Sequence, residues 1–245
     1  MQIKLITIDF WNTLFNGESA DLRNYTRSKV LIDTLNDMKV SINQERFNEV
    51  IRYSWEYYSN IWINECRTPS ANEILTFIWN KMGFKENKKA FDYVVNFYEN
   101  VIILFPPELE PGSKNAIIKL SSKYKLGIVS DTGFSPGKVV NKLLEQLDIK
   151  KYFSAFSYSD ETGVAKPHPK SFSIILEQLN ITPEEAIHIG DIDRTDIDGA
   201  KTIGMRAIRY DGNIDKNTLH LRNNDSKADF IAKNWDDILE YFETL

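Results

Sequence analysis

The sequence predicts an α/β fold in which helices cover both faces of a parallel sheet. After residue 105, short β-branched segments alternate with segments of helical period, a pattern typical of parallel strands joined by crossover helices. A first apolar, β-branched segment, Ile3–Ile8, stands apart near the N-terminus. Between them, residues 17–104 show helical periodicity only. We therefore predict a Rossmann-like three-layer domain, residues 1–16 and 105–245, interrupted by an all-helical insertion, residues 17–104.

The insertion is predicted to contain at least three helices, because apolar residues recur every three or four positions. Its aromatic residues Trp55, Tyr57, Tyr58 and Trp62 are too closely spaced for one helix face. We expect some of them to face a cleft, a partner or solvent. The three stripes are Phe47, Ile51, Trp55, Tyr58 and Trp62; Ile74, Ile78 and Met82; and Phe91, Val95, Tyr98 and Ile102.

The second half of the chain alternates predicted strands with predicted helices. Ser135 is the expected N-cap of a helix with Pro136 at its first position. Thr182 opens a capping box, Gly204 ends a helix and Asn234 begins the last one. The predicted strands are 125–130, 153–158, 186–190, 206–210 and 229–231, and the predicted helices include 136–147, 172–179 and 196–203.

Composition excludes several classes of protein. The 245 residues are 42% hydrophobic and carry a formal net charge of −5, which gives no sign of a broad nucleic-acid surface. The single cysteine, Cys66, cannot form an intramolecular disulfide. No stretch approaches the roughly 18 apolar residues of a membrane span, and no signal peptide precedes Ile3. We expect a cytoplasmic monomer or homodimer with neither nucleic-acid nor membrane partners.

Chemically matched side chains follow three of the predicted strands. Asp9 ends the first strand, Ser130 ends the second, and Asp191 follows the strand at 186–190. The loop of residues 163–169 adds Lys166 between turn residues. Because ligands of open parallel sheets bind at the carboxyl ends of strands, we expect these groups to meet. The carboxylates suit a hard cation such as Mg²⁺, the hydroxyl and ammonium suit a phosphoryl group, and Asp9 could attack phosphorus.

These residues resemble the four motifs of the haloacid dehalogenase-like hydrolase superfamily. The first is Asp-x-Asp-x-Thr after a strand, here Asp9-Phe-Trp11-Asn-Thr13, and the second is a strand ending in Ser130. The third is Gly-x-x-Lys-Pro-x-Pro, here residues 163–169. The fourth is Gly-Asp followed by a later Asp, here residues 190–196. The insertion lies where the family's type 1 helical cap lies, between the first and second motifs.

The resemblance implies a role for each matched residue. Asp9 would be the nucleophile that forms an aspartyl intermediate, and Lys166 would neutralise charge beside it. Ser130, with the adjoining main chain at Asp131, would bind the phosphoryl oxygens. Mg²⁺ would be held by Asp9, Asp191 and the main-chain carbonyl of Trp11, with Asp196 supporting the metal.

Trp11 departs from the family pattern, because phosphatases of the family carry there a second aspartate that transfers protons. Tryptophan cannot relay a proton. Trp11 therefore either forms part of the wall of the substrate pocket or indicates that the protein has lost hydrolytic activity. Asp131 is a candidate replacement donor. Dehalogenases of the family also lack this aspartate, but they lack the full acidic fourth motif as well.

The function expected from the resemblance is a Mg²⁺-dependent phosphatase or phosphotransferase acting on a small phosphorylated metabolite. Two alternatives remain open at this stage. One is a metal-independent dehalogenase-type hydrolase, and the other is a non-enzymatic relative whose insertion binds a ligand or a partner.

Overall fold

The computed structural model describes residues 2–245, and its centre is a six-stranded sheet. All neighbouring strands are parallel, in the order β3-β2-β1-β4-β5-β6. The predicted α/β class is therefore confirmed. The strands are β1 (Leu5–Ile8), β2 (Lys125–Ser130), β3 (Ala155–Tyr158), β4 (Ala186–Gly190), β5 (Arg206–Tyr210) and β6 (Phe230–Ala232).

Four helices form the insertion between β1 and β2. Their packed faces share a core that includes Leu31, Phe47, Leu75 and Val94, and this core also receives Phe134 from the loop after β2. The second helix uses Phe47, Val50, Ser54 and Ile61 as its buried face, so the predicted stripe was only partly right. The helices are α1 (Ala20–Asp37), α2 (Gln44–Glu65), α3 (Ala71–Met82) and α4 (Lys88–Leu104).

The remaining helices cover the two faces of the sheet. Along β1, Leu5 packs with α8 and α9, whereas Ile6 and Ile8 pack with α5, α6 and α10, because successive strand side chains point to opposite faces. The helices are α5 (Ser113–Ser121), α6 (Gly137–Gln146), the short α7 (Ser159–Thr162), α8 (Lys170–Leu179), α9 (Asp198–Thr202) and α10 (Trp235–Glu243).

Local predictions were right at two helix starts and wrong at a third. Asn234 caps α10 by accepting a hydrogen bond from the Asp237 N–H, and the Thr182 capping box is present. The Ser135 side chain does not cap α6. That helix begins at Gly137, whose N–H donates instead to Asp160 Oδ1 at 3.0 Å.

Within residues 2–245, no helix is both long enough and apolar enough to cross a lipid bilayer.

Candidate active site

A cavity lies at the carboxyl ends of β1, β2 and β4. Its volume is about 290 Å³, and both the sheet and the insertion contribute to its wall. Asp9, Asp131 and Asp191 line it where their strands end, and Lys166 lines it from the loop before α8. Parallel strands present all their carboxyl ends at one edge, so residues far apart in sequence meet there.

Lys166 is the centre of the charged network in this cavity. Its side chain is 3% exposed, and Nζ donates to Asp9 Oδ1 and to Asp196 Oδ1, the latter at 2.7 Å. Burial alone would lower the pKa of Lys166, but Asp196 and Asp9 outweigh it and raise the pKa above its usual value. The ammonium therefore stays charged between the two carboxylates.

Asp196 holds Lys166 in place. Oδ1 also accepts from His188 Nε2 at 3.0 Å, and Oδ2 accepts from the Ile192 N–H at 3.1 Å and from Thr195 Oγ1 at 2.9 Å. Burial would raise the pKa of Asp196, but Lys166 and His188 hold it below its usual range. With both oxygens engaged by protein donors, Asp196 is arranged to position the lysine. Its predicted support of a metal stays a prediction.

His188 connects this network to β1. It is fully buried in β4, and its Nδ1 lies 2.9 Å from Thr7 Oγ1. Burial lowers the pKa of His188, and an ionised Asp196 can only accept a hydrogen bond. The neutral imidazole therefore carries its proton on Nε2, accepts from Thr7 and donates to Asp196.

Gly190 allows Asp196 to reach its position. A Cβ at residue 190 would lie 2.4 Å from Asp196 Cγ, far inside van der Waals contact. The Gly-Asp pair at the end of β4 is thus a packing requirement as well as a source of Asp191.

Two buried polar atoms in this region have no hydrogen-bond partner among residues 2–245. They are Ser130 Oγ and Asp191 Oδ2. Buried polar atoms are nearly always paired, so orphaned atoms beside a cavity suggest an absent ligand. Asp191 lines the cavity, and its Oδ2 suits a cation. Ser130 is not among the lining residues, so its predicted contact with a phosphoryl oxygen stays a prediction.

The carboxylates are arranged in a way that favours a cation. Burial raises the pKa of Asp9 to about 7, partly opposed by Lys166. Burial, with Asp196 and Asp9 nearby, raises the pKa of Asp191 well above its usual value. A divalent ion would relieve this crowding of negative charge.

The donor set fits a cation that needs few protein ligands. Among residues 2–245, no three His, Cys, Asp or Glu side chains form a metal-binding group. Mg²⁺ commonly takes one or two carboxylates and completes its shell with water and substrate oxygens. Asp9 and Asp191 therefore fit Mg²⁺, with a main-chain oxygen as the further ligand that the resemblance implies at Trp11.

Aromatic rings form part of the cavity wall. As expected from their density, some of the aromatic residues of α2 face the cleft, and Trp11 faces it from the loop after β1. Tyr57 instead stacks on Phe77 within the insertion. The aromatic residues that line the cavity are Trp11, Trp55, Tyr58, Trp62 and Phe134.

Asp131 joins the core to the insertion. Its Oδ1 accepts from the Lys166 N–H at 3.0 Å and its Oδ2 accepts from Trp62 Nε1 at 2.8 Å. Burial raises the pKa of Asp131. Each oxygen accepts one N–H hydrogen bond, which stabilises the ionised carboxylate and leaves each oxygen able to accept one more.

Sequence reasoning missed Arg23, Arg27 and Thr195, which also line the cavity. No local signal marks the two arginines, because a helix with polar residues at these positions resembles a solvated one. Thr195 lies within the fourth motif, so its proximity to Asp196 could have been considered.

Comparison with known proteins decides the family. The model of the haloacid dehalogenase-like hydrolases matches residues 3–204. The chain belongs to this family. The resemblance predicted from the four motifs is therefore confirmed, and the protein is a hydrolase.

Three known proteins, two phosphatases and one dehalogenase, are similar to this haloacid dehalogenase-like hydrolase. Glyceraldehyde 3-phosphate phosphatase of Pyrococcus furiosus is 29% identical over 211 residues, covering 85% of this chain and 81% of the relative. Phosphoglycolate phosphatase of Salmonella paratyphi A is 39% identical over 90 residues, covering 34% of this chain and 35% of the relative. The 2-haloacid dehalogenase structure from Pseudomonas syringae pv. Tomato has a TM-score of 0.68 at 19% identity, with 99% of each chain covered. The last similarity shows the fold alone.

Proposed function

We propose that this hydrolase is a Mg²⁺-dependent phosphatase that acts on a small phosphorylated metabolite through an aspartyl-phosphate on Asp9. The observation that carries the proposal is the buried pair of Asp9 and Asp191 in the cavity that Lys166 also lines, where Asp191 Oδ2 has no hydrogen-bond partner among residues 2–245. The names of the two phosphatases above support it. Displacement of a halide needs only the nucleophile Asp9, so the second buried carboxylate, Asp191, favours a reaction that uses a cation.

Asp9 is the nucleophile in this proposal. A carboxylate oxygen of Asp9 bonds to phosphorus while the bond from phosphorus to the ester oxygen breaks. The departing alkoxide then takes a proton. In the second step water attacks phosphorus, the bond to Asp9 breaks, and inorganic phosphate leaves.

The neighbouring residues stabilise charge and position the substrate. Lys166, held by Asp196, places an ammonium next to Asp9, where negative charge accumulates on the phosphoryl oxygens. The Ser130 hydroxyl and the main chain at Asp131 are proposed donors to those oxygens. Mg²⁺, held by Asp9, Asp191 and the Trp11 carbonyl, would supply further electrostatic stabilisation when bound.

The site lacks a residue at position 11 that could transfer a proton to the leaving group. Trp11 has no group that can carry a proton between the leaving oxygen and water. Both oxygens of Asp131 accept N–H hydrogen bonds, which favour its ionised form over the protonated form that a proton donor needs. We therefore propose that water or the substrate itself supplies this proton.

Release of inorganic phosphate tests the proposal. Purified protein is assayed on a panel of small phosphate monoesters with Mg²⁺ and with EDTA, and on a 2-haloacid with chloride as the readout. We expect Mg²⁺-dependent phosphate release that Asp9→Asn abolishes. Asp198→Asn is the matched control, because Asp198 pairs with Lys227 at the surface, away from the cavity. Chloride release without Mg²⁺, or no product from any substrate, would contradict the proposal.

A further inference from the structure

Two arginines line the cavity, and neither has a carboxylate partner among residues 2–245. Arg23 and Arg27 lie one turn apart on α1 and are 4% and 8% exposed. Within residues 2–245, every hydrogen bond they donate goes to a carbonyl, a hydroxyl or an amide oxygen. Burial lowers the pKa of each to about 10, so both stay cationic near neutral pH. Buried cations are costly unless an anion compensates them.

The two guanidinium groups differ in the donors that they leave free. In Arg27, Nε and Nη2 donate to the Tyr98 carbonyl at 3.3 and 3.1 Å, and Nη1 donates to Asn24 Oδ1 at 3.1 Å. In Arg23, Nη1 alone is used, donating to Ser19 Oγ and to the Phe105 carbonyl. Nε and Nη2 of Arg23, which form one edge of the guanidinium, have no partner among residues 2–245.

Trp11 supports Arg23 in this arrangement. Arg23 Cζ lies 5.3 Å from the centre of the Trp11 ring, within the range of a cation–π interaction. Trp11 in turn contacts Phe10 edge-on, with ring centres 4.8 Å apart. The residue that replaces the family's second aspartate thus helps to hold a cation beside the nucleophile's cavity.

The geometry points to a phosphate monoester that also carries a carboxylate, with its phosphoryl group at Asp9 and its carboxylate on the Nε–Nη2 edge of Arg23. This inference rests on the proposed function and narrows its substrate class. A planar carboxylate matches that edge with two parallel hydrogen bonds, which a neutral aldehyde or hydroxyl group cannot do. The small cavity restricts the substrate to a short carbon chain.

The first test compares two esters of equal heavy-atom count, 2-phosphoglycolate and isobutyl phosphate. The measured quantity is kcat/KM for 2-phosphoglycolate divided by kcat/KM for isobutyl phosphate, both with Mg²⁺. Charge-assisted hydrogen bonds of this kind correspond to a change of about 10- to 100-fold, so Arg23→Lys should lower the ratio by about that factor. Lysine keeps the charge and can still donate to the Phe105 carbonyl, but it lacks the planar edge. Arg27→Lys is the matched control on the same helix, and it should retain the wild-type ratio.

The second test measures binding and needs no turnover. Wild-type protein is titrated calorimetrically with phosphonoacetate, which carries a carboxylate, and with isobutylphosphonate, which does not. Phosphonoacetate should bind more tightly by about tenfold or more. This preference should be lost in Arg23→Lys. The comparison of the two phosphonates on wild-type protein tests the carboxylate site even if the Arg23→Lys variant is unstable.

The outcomes separate the two proposals. Phosphate release from both esters with an unchanged ratio in Arg23→Lys would overturn the role of Arg23 and leave the phosphatase intact. A phosphonoacetate preference that depends on Arg23, without phosphate release from any ester, would support the inference and contradict the phosphatase. Equal binding of the two phosphonates by wild-type protein would overturn the carboxylate site.

Discussion

The indole of Trp62 in the insertion donates a hydrogen bond to the carboxylate of Asp131 in the core, with Nε1 and Oδ2 2.8 Å apart. Nearby, the Ala165 N–H donates to the Cys66 carbonyl at 2.6 Å. The C-terminal end of α2 therefore closes over the loop that carries Lys166. This contact joins the insertion to the charged network around Lys166.

Trp62→Phe removes this hydrogen bond and leaves a ring of similar shape. We expect the free energy of unfolding to fall by about 1–3 kcal/mol, because a buried carboxylate oxygen loses its donor. We also expect kcat/KM to fall, since the cavity wall is less firmly held. Urea unfolding and steady-state kinetics measure the two effects. Trp55→Phe is the control, because Trp55 lines the same cavity and is 39% exposed. Equal effects of both substitutions would argue against a specific role for the bond.

We propose that the insertion and the core move as separate bodies during the reaction. The two connecting segments pair side by side, through the Asn16 N–H to the Glu108 carbonyl at 2.8 Å and the Glu110 N–H to the Leu14 carbonyl at 3.0 Å. Closure would exclude water from the cavity. Mg²⁺ with fluoroberyllate should then protect the junctions near residues 16–20 and 100–108 from proteolysis. Identical cleavage with and without these ligands would contradict the motion.

Gly190→Ala should inactivate the enzyme. The new Cβ would lie 2.4 Å from Asp196 Cγ, so Asp196 must move and Lys166 loses its anchor. Overpacking of this kind costs about 1–3 kcal/mol of stability. Gly163→Ala is the control, because residue 163 has a positive φ but nothing lies within 4 Å of its Cβ position. It should lower stability through backbone strain and keep the active-site network. Wild-type activity in Gly190→Ala would show that Asp196 tolerates displacement.

Lys166→Met should destabilise the metal-free protein. Asp9 and Asp196 would both lose their buried cation, and breaking a buried ion pair costs about 3–5 kcal/mol. Thermal unfolding measures the change. Lys170→Met is a nearby control, since Lys170 Nζ bonds only to the Thr162 carbonyl among residues 2–245. An unchanged melting temperature in Lys166→Met would mean that the carboxylates are neutral in the folded protein.

Mg²⁺ should stabilise wild-type protein against heat. A ligand at about 100 times its Kd adds about 2.7 kcal/mol to the free energy of unfolding. Asp191→Asn should lose most of this increment, because the unpartnered Oδ2 is replaced by a neutral group. Asp198→Asn should keep it. The same Mg²⁺-induced shift in wild type and Asp191→Asn would contradict the assignment of Asp191 as a ligand.

The absence of a proton carrier at Trp11 predicts a strong dependence on the leaving group. General acid–base catalysis typically contributes about 10²- to 10⁴-fold, so alkyl phosphates should react slowly. Aryl phosphates should be less affected, because their leaving groups tolerate negative charge. The aspartyl-phosphate should also persist longer than in a phosphatase with the second aspartate. A flat plot of rate against leaving-group pKa would point to another donor, and Asp131→Asn would be the next variant to measure.

The strands were predictable because both faces of the parallel sheet are covered, so each strand appears as a short apolar run. The segment 186–190 matches β4 at both ends. The helix α5 was not predicted, because its buried side chains Ala116, Ile117 and Leu120 are a short stripe among lysines and serines. Ser135 fits the N-cap pattern, but Asp160 on a different element supplies the acceptor for the first turn of α6.

The motif residues were predictable for a related reason. Asp9, Ser130 and Asp191 each lie where a strand ends, and sheet geometry alone brings the carboxyl ends of neighbouring strands together. Their sequence positions thus determine their proximity once the strands are recognised. The sequence also determined that Trp11 has no titratable group for proton transfer, since this depends on the side chain itself.

Only the tertiary structure decided which residues surround Asp9, Asp191 and Trp11. The sequence does not show that Arg23 lies over Trp11, that Trp62 reaches Asp131, or that Asp131 accepts two hydrogen bonds. Each of these contacts joins two different segments of the chain, 12 residues apart for Arg23 and Trp11 and 69 residues apart for Trp62 and Asp131. Helical periodicity reports which side of a helix is buried, but the same polar residue can face solvent or a cavity. The packing of α1 and α2 against the core makes that choice, and it places Arg23, Arg27 and Trp62 in the wall of the cavity.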